Sequence, residues 1–191
     1  RTIGGEDAWL QIEGQDDEGG VLSAVVFADA GAGNDLIAPH ISIAKARGTA
    51  ASPSAVQNGD TLSYLLYYGH DGTDLNNLAA GITVEVDGTV GTDDVPGKLV
   101  FSTSPTGANT LSERVDIDSN GNVTIHDQGD LRFGDADTSN WVAFKAPATV
   151  ASDVTWTLPD ADGVGDQALT TNGSGDLGWT SFLPKDNPSL T

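Results

Sequence analysis

The sequence contains no cysteine and no methionine. The first absence removes disulfides and thiolate metal sites, and with them any reading of redox compartment. With Arg1 in first place and no Met anywhere, the sequence reads as a processed chain or as part of a longer one. Positive charge is scarce: 8 Lys plus Arg stand against 28 Asp plus Glu, a formal net charge of −20. A nucleic-acid surface needs a basic patch to release counterions from phosphate, and none is visible. An anionic membrane surface is disfavoured on the same ground. No run of 18 apolar residues occurs, so no membrane insertion is expected. Hydrophobic residues make up 38%, low enough to argue against one large core. No segment sustains a helical stripe for three turns. SERVDI (112–117) is the nearest to one, and DLNNLAAG (74–81) has the length for a single turn.

What is present is turn chemistry and short apolar runs. There are 24 glycines, and Ser, Thr, Asn and Asp crowd the chain, as suits turns better than helix interiors. Between the turns lie runs of strand length: AWLQIE (8–13), VLSAVVFAD (21–29), HISIAKA (40–46), TLSYLLYYG (61–69), ITVEVDG (82–88), KLVFST (98–103), RVDID (114–118), NVTIH (122–126), LRFGD (131–135), WVAFKA (141–146) and VTWTLP (154–159). Alternation puts Ile82, Val84 and Val86 on one face, with Thr83, Glu85 and Asp87 on the other. Val154, Trp156 and Leu158 share a face in the same way. The pattern predicts an all-β chain. The composition shifts near residue 128, which divides the chain into a β-rich head-like region (1–127), a Gly- and Asp-rich shaft segment (128–183) and a polar tail (184–191). The shaft has too little apolar surface for a core of its own. Sharing a core with identical chains solves that problem.

Two stretches resemble a known family. ARGTAASPSAVQNGDTLSYLLYYGHDGTD (46–74), then DDVPGKLVFSTSPTGANTLSERVDIDSNGNVTI (93–125), is similar to a segment recurrent in bacteriophage tail fibres and related virion fibres. The carrying pieces are Ala46 to Thr49, Pro53 to Leu62, Gly69 to Thr73, Pro96 to Thr103 and Glu113 to Val123. WVAFKAPATVASDVTWTLPDADGVGDQALTTNGSGDLGWTSF (141–182) resembles shaft repeats of the same proteins. The resemblance implies a homotrimeric, extended, intertwined β fibre or shaft on the virion, often one that attaches to a host surface. Many relatives continue into a self-cleaving trimerisation chaperone, and no part of this sequence resembles that module. Read physically, Leu99, Phe101, Trp156 and Leu158 are the expected buried anchors.

Sites with chemistry are few. Asp116-Ile117-Asp118-Ser119-Asn120-Gly121 opens like an EF-hand calcium loop, but position twelve is Asp127 rather than Glu, and the flanks are strand-like. The expectation is a hairpin turn with Asn120-Gly121 as a type I′ pair. No metal or other cofactor is expected; Asp116, Asp118 and Asn120 are the residues a Ca2+ ion would use. Asp135, Asp137, Asp160 and Asp162 are further acids for a cation site between chains. His40, His70 and His126 show no metal-ligand spacing. No G-x-S-x-G occurs, and GVGDQ and NGSGDLG are neither dinucleotide nor P-loop patterns. Tyr67 and Tyr68 are the candidates for glycan contact, because neighbours on a strand face opposite sides and an aromatic ring stacks well on sugar. Tyr64, Trp9, Trp141, Trp156 and Trp179 complete the set.

The reading is therefore a structural virion protein and not an enzyme: a homotrimeric tail fibre or spike segment. Its expected partners are its own copies, other virion proteins and a host surface glycan or envelope protein. Capsid decoration, as in a head-fibre or cement protein, is one alternative. A glycan-cleaving tailspike with paired carboxylates is another.

Overall fold

A computed structural model describes residues 41–181, together with the backbone of residues 2–3 and 6–7. The described chain is all-β and contains no helix. Two compact units divide it, Arg1–Lys145 and Ala146–Thr191.

The first unit opens with a two-residue pair, β1 (Thr2–Ile3) and β2 (Glu6–Asp7). A short hairpin follows, β3 (Arg47–Thr49) and β4 (Ser52–Ser54). Gly48 carries φ +82, and a Cβ there would lie 2.4 Å from the Ser52 carbonyl oxygen, so only glycine fits. The Arg47 guanidinium grips Asp60 in a two-pronged pair, 2.7 Å from Nε to Oδ2 and 2.6 Å from Nη2 to Oδ1.

The main element is a five-stranded antiparallel meander: β5 (Thr61–Gly69), β6 (Asn77–Val86), β7 (Gly97–Thr103), β8 (Ser112–Ile117) and β9 (Val123–Ile125), neighbouring in chain order. SERVDI is thus a strand, and NLAAG opens another; long-range pairing overrides weak helical propensity in both. After the sheet comes the hairpin of β10 (Leu131–Gly134) and β11 (Trp141–Phe144). The second unit is built on β12 (Gln167–Thr171) paired with β13 (Leu177–Ser181). A single parallel bridge, Thr157 to Asp176, attaches the VTWTLP segment to that hairpin.

Several expected strands are not strands. HISIAKA is irregular over residues 41–46, and VTWTLP contributes only the one bridge. Both alternate correctly, but neither finds a partner ladder among the described residues. AWLQIE and VLSAVVFAD lie outside the described residues.

The turn after β8 also differs from expectation. Gly121 has φ +83, while Asn120 does not enter the left-handed region. Asp118 N–H donates to the Asn122 carbonyl at 3.0 Å, and Gly121 N–H to the Asp118 carbonyl at 3.0 Å. This is a three-residue loop ending in a left-handed glycine, not a type I′ pair. The cause is Asp118, whose carboxylate accepts the Asn120 N–H at 2.8 Å and the Asn122 N–H at 2.9 Å. A type I′ conformation occurs instead one strand later. Asp127 and Gln128 have φ 55 and 56, closed by Gly129 N–H to the His126 carbonyl at 2.9 Å.

Candidate assembly face and surface sites

The register of the meander produces continuous cross-strand rows. Leu65, Ile82, Phe101, Val115 and Ile125 lie side by side through the paired strands. The next row on that face is Ser63, Val84, Leu99, Ile117 and Val123. Neither row contains a charge. On the opposite face the rows are Tyr64, Thr83, Val100, Asp116 and Thr124, then Leu66, Gly81 and Ser102.

Burial runs against this pattern. Thr83, Val100, Ser102 and Asp116 are buried, whereas Leu65, Phe101, Ile117, Val123 and Ile125 are between 37% and 64% exposed. The loop between β7 and β8 explains one half of the inversion. Leu111 and Leu66 press on Gly81 from the polar side; a Cβ on Gly81 would come within 2.8 Å of Leu111 Cδ1. Asn109 pins that loop by accepting the Leu78 N–H at 2.8 Å and donating to the Asn76 carbonyl at 3.2 Å. On the apolar face Val86, at the end of β6, is buried, but the two rows themselves are only partly covered among the described residues. Among the described residues only three hydrophobic side chains are buried, Val56, Val86 and Val100.

The same holds elsewhere. On the β10–β11 hairpin, Leu131, Phe133, Val142 and Phe144 share one exposed face, with Phe133 and Phe144 edge to face at 6.3 Å. In the second unit Val154, Trp156, Leu158 and Val164 are all exposed. The expected anchors are therefore not buried within one chain. Phe101, Trp156 and Leu158 are exposed and Leu99 is partly covered, because no element among the described residues closes over the side each occupies.

Trp179, though 38% exposed, is anchored against the segment that precedes β12. Its indole N–H donates to the Ala161 carbonyl at 2.9 Å, and a Cβ on Gly163 would meet the ring at 2.6 Å. That contact gives the D-G of the shaft repeat a physical reason. Asn172 shapes the turn of β12–β13, with its Oδ1 accepting the N–H groups of Ser174 and Asp176 at 2.7 and 3.2 Å. Neither of these two strands is among the runs expected from the sequence; Leu177 and Trp179, alternating after the Asn-Gly-Ser-Gly turn, are the signal that could have found β13.

The sequence-selected residues fall as follows. Asp116 is buried within β8, with Oδ2 2.5 Å from His126 Nε2. Asp118 serves the turn, and its Oδ2 also accepts from the Asn122 side chain at 2.8 Å. The Asn122 side chain and backbone hold the Asp118 carboxyl below the usual carboxylate range. Asn120 sits at the turn apex, using its N–H on Asp118. No group of three or more His, Asp or Glu ligands gathers among the described residues. Asp135 and Asp137 organise the β10–β11 loop through Asn140 and Ser139. Asp162 bonds the Gly163 N–H. His70 accepts the Gly72 N–H at 2.9 Å. His40 and Trp9 lie outside the described residues. Tyr67 belongs to the apolar face beside Leu65 and is half exposed; Tyr68 is partly buried, and Tyr64 is the most exposed of the three.

Ion pairs cluster at Asp130, which sequence reasoning missed. Arg132 donates Nε and Nη2 to Asp130 Oδ2 at 2.9 and 2.6 Å. Lys145 Nζ lies 3.3 Å from Oδ1. The Arg132 hydrogen bonds, with help from Lys145, hold the Asp130 carboxyl below its ordinary range. The guanidinium carbon stands 4.0 Å over the Trp141 ring.

No family model and no curated protein matches the chain. Among the solved structures similar to it are two of one phage fibre. One is the carboxy-terminal domain of the bacteriophage T5 L-shaped tail fibre, with TM-score 0.49 and 21% identity, over 69% of this chain and 48% of that one. The other is that domain with its intra-molecular chaperone domain, with TM-score 0.49 and 19% identity, over 83% of this chain and 43% of that one. The chain is thus similar to phage tail-fibre domains and spans less than half the length of each.

Proposed function

We propose that this chain is a structural segment of a phage tail fibre or spike, acting by assembly and adhesion rather than catalysis, with three copies sharing one core on the virion. The observation that carries the reading is the uncharged apolar face of the five-stranded sheet, whose rows are not closed over by any of the described residues. Nine apolar side chains and Ser63 make up its two rows. Each apolar side chain is only partly covered, and completing the burial contributes on the order of 1 kcal/mol apiece. A second copy is the natural cover. It carries the same uncharged face, while the net charge of −20 opposes approach of copies through charged surface. The number three comes from the sequence resemblance, as does attachment to a host glycan or envelope protein.

Sedimentation equilibrium of the purified chain tests assembly. The expected mass is three times that of one chain, and a monomer at micromolar concentration overturns the reading. Antibody labelling of purified particles tests location. Label along the tail is expected, label on the capsid would favour the decoration alternative, and unlabelled particles would remove the virion role.

A further inference from the structure

The β10–β11 hairpin has two unlike faces. Leu131, Phe133, Val142 and Phe144 form the apolar one, the side that a neighbouring copy would cover. Arg132, Ala143 and Trp141 lie on the other, and Lys145 continues it by alternation. Among the described residues Asp130 is the only carboxylate in ion pairs with two Lys or Arg side chains. Its single charge leaves one positive charge over, in a chain where cations are outnumbered. Asp130 is largely buried, while Arg132 and Lys145 are each more than half exposed. Arg132 spends Nε and Nη2 on Asp130, and Nη1 donates to no atom among the described residues. The Trp141 ring, fixed by the guanidinium over it, is 55% exposed.

We propose that this face binds an acidic pyranose, a sugar ring carrying a carboxylate. The ring's C–H face would lie on the open part of the Trp141 indole. The carboxylate would take the free Nη1 donors of Arg132 and the ammonium of Lys145, forming charge-assisted hydrogen bonds. Asp130 positions both cations and so lowers the ordering cost of binding. The inference rests on the reading of the chain as an exposed virion segment, where three such faces would add through multivalency. Attraction is short-ranged, because the net charge of the chain opposes anions beyond a Debye length of about 8 Å at physiological salt.

Isothermal titration of the full chain with tetraglucuronate, and with its carboxyl-reduced neutral counterpart, tests the site. The acidic probe should bind at least about tenfold more tightly, the difference that one charge-assisted hydrogen bond makes. Arg132→Gln and Lys145→Gln should each lose most of that preference with solution mass unchanged. Arg132→Gln should also melt somewhat lower, because it removes the hydrogen bonds that hold Asp130, while Lys145→Gln should melt close to the parent. Equal binding of the two probes, no heat at about 10 mM acidic probe, or variants that bind like the parent would overturn the site. A monomeric mass with acid-selective binding intact supports the site and overturns only the fibre reading. An intact trimer that ignores tetraglucuronate does the reverse.

Discussion

At the scale of single residues, two neighbouring turns show where local chemistry is legible and where it is hidden. Asn120-Gly121 announces a turn, and a turn is there, but the Asp118 carboxylate selects a three-residue loop over the type I′ form. Asp127-Gln128 carries no comparable signal, yet both residues are left-handed. Each L-residue held there costs about 1–2 kcal/mol. Replacing Gln128 by Gly should remove that cost and return part of it as chain entropy, for a gain of about 0.5–1 kcal/mol. The gain should appear as a higher denaturation midpoint, and an unchanged or lower midpoint would mean the turn is not strained. Gly129 is not free in the same way, since a Cβ would lie 2.6 Å from Ile125 Cγ2. Carboxylates supply a second residue-level prediction. Asp60 is held low by the Arg47 hydrogen bonds, Asp87 by the Ser119 N–H, Asp118 by Asn122 and Asp130 by Arg132. For each, the unfolded chain takes up a proton at a higher pH than the folded one. Their stabilisation is therefore complete above about pH 5 and is lost as pH falls below about 4 toward the folded values. Melting temperature should be level from pH 7 to 5 and decline below 4. A rise on acidification would show that relief of general repulsion outweighs these local bonds.

At the scale of elements, alternation in the sequence told which side chains share a face and not which face is covered. Ile82 and Val84 do lie opposite Thr83 and Glu85, and the strands pair in simple chain order. Yet Thr83 is buried while Ile82 and Val84 are only partly covered; on that polar side Leu111 and Leu66, 30 and 15 positions away in the chain, close over Gly81. Period-two patterning carries no information about such a loop. It also misled at VTWTLP, where alternation is good but the only ladder contact is at Thr157. Of the candidate calcium residues, Asp118 and Asn120 were legible as turn residues, while Asp116 is buried in β8 beside His126. The Asp130 cluster was not legible, since Arg132 and Lys145 meet only through the β10–β11 register. A charge placed in the sheet's apolar rows tests their role directly. Ile117 stands between Leu99 and Val123. Ile117→Asp should weaken self-association at least about tenfold, since an unpaired carboxylate in a dry interface costs several kcal/mol. Thr89→Lys, at an exposed loop position, should leave it unchanged. Equal sedimentation of the Ile117 variant and the parent would remove the sheet from the interface.

At the scale of the whole molecule, two quantities oppose each other. Apolar surface left open in one chain favours gathering copies, and a net charge of −20 resists it. Three copies would triple that charge. The described cations do little to relieve it: Arg47, Lys98, Arg114, Arg132 and Lys145 pair with acids of the same chain, and Lys45 donates to the Thr61 carbonyl. Charge repulsion between copies is long-ranged and screened by salt, with a Debye length of about 30 Å at 0.01 M and 3 Å at 1 M. Burial of the uncharged rows is not weakened by moderate sodium chloride. Salt should therefore act on the opposing quantity alone. Melting temperature and the sedimenting mass at limiting concentration should both rise from about 0.01 M to 0.5 M NaCl, the reverse of what an interface of ion pairs would give. A curve that falls with salt would mean that charged contacts join the copies, and the apolar rows would then need another occupant.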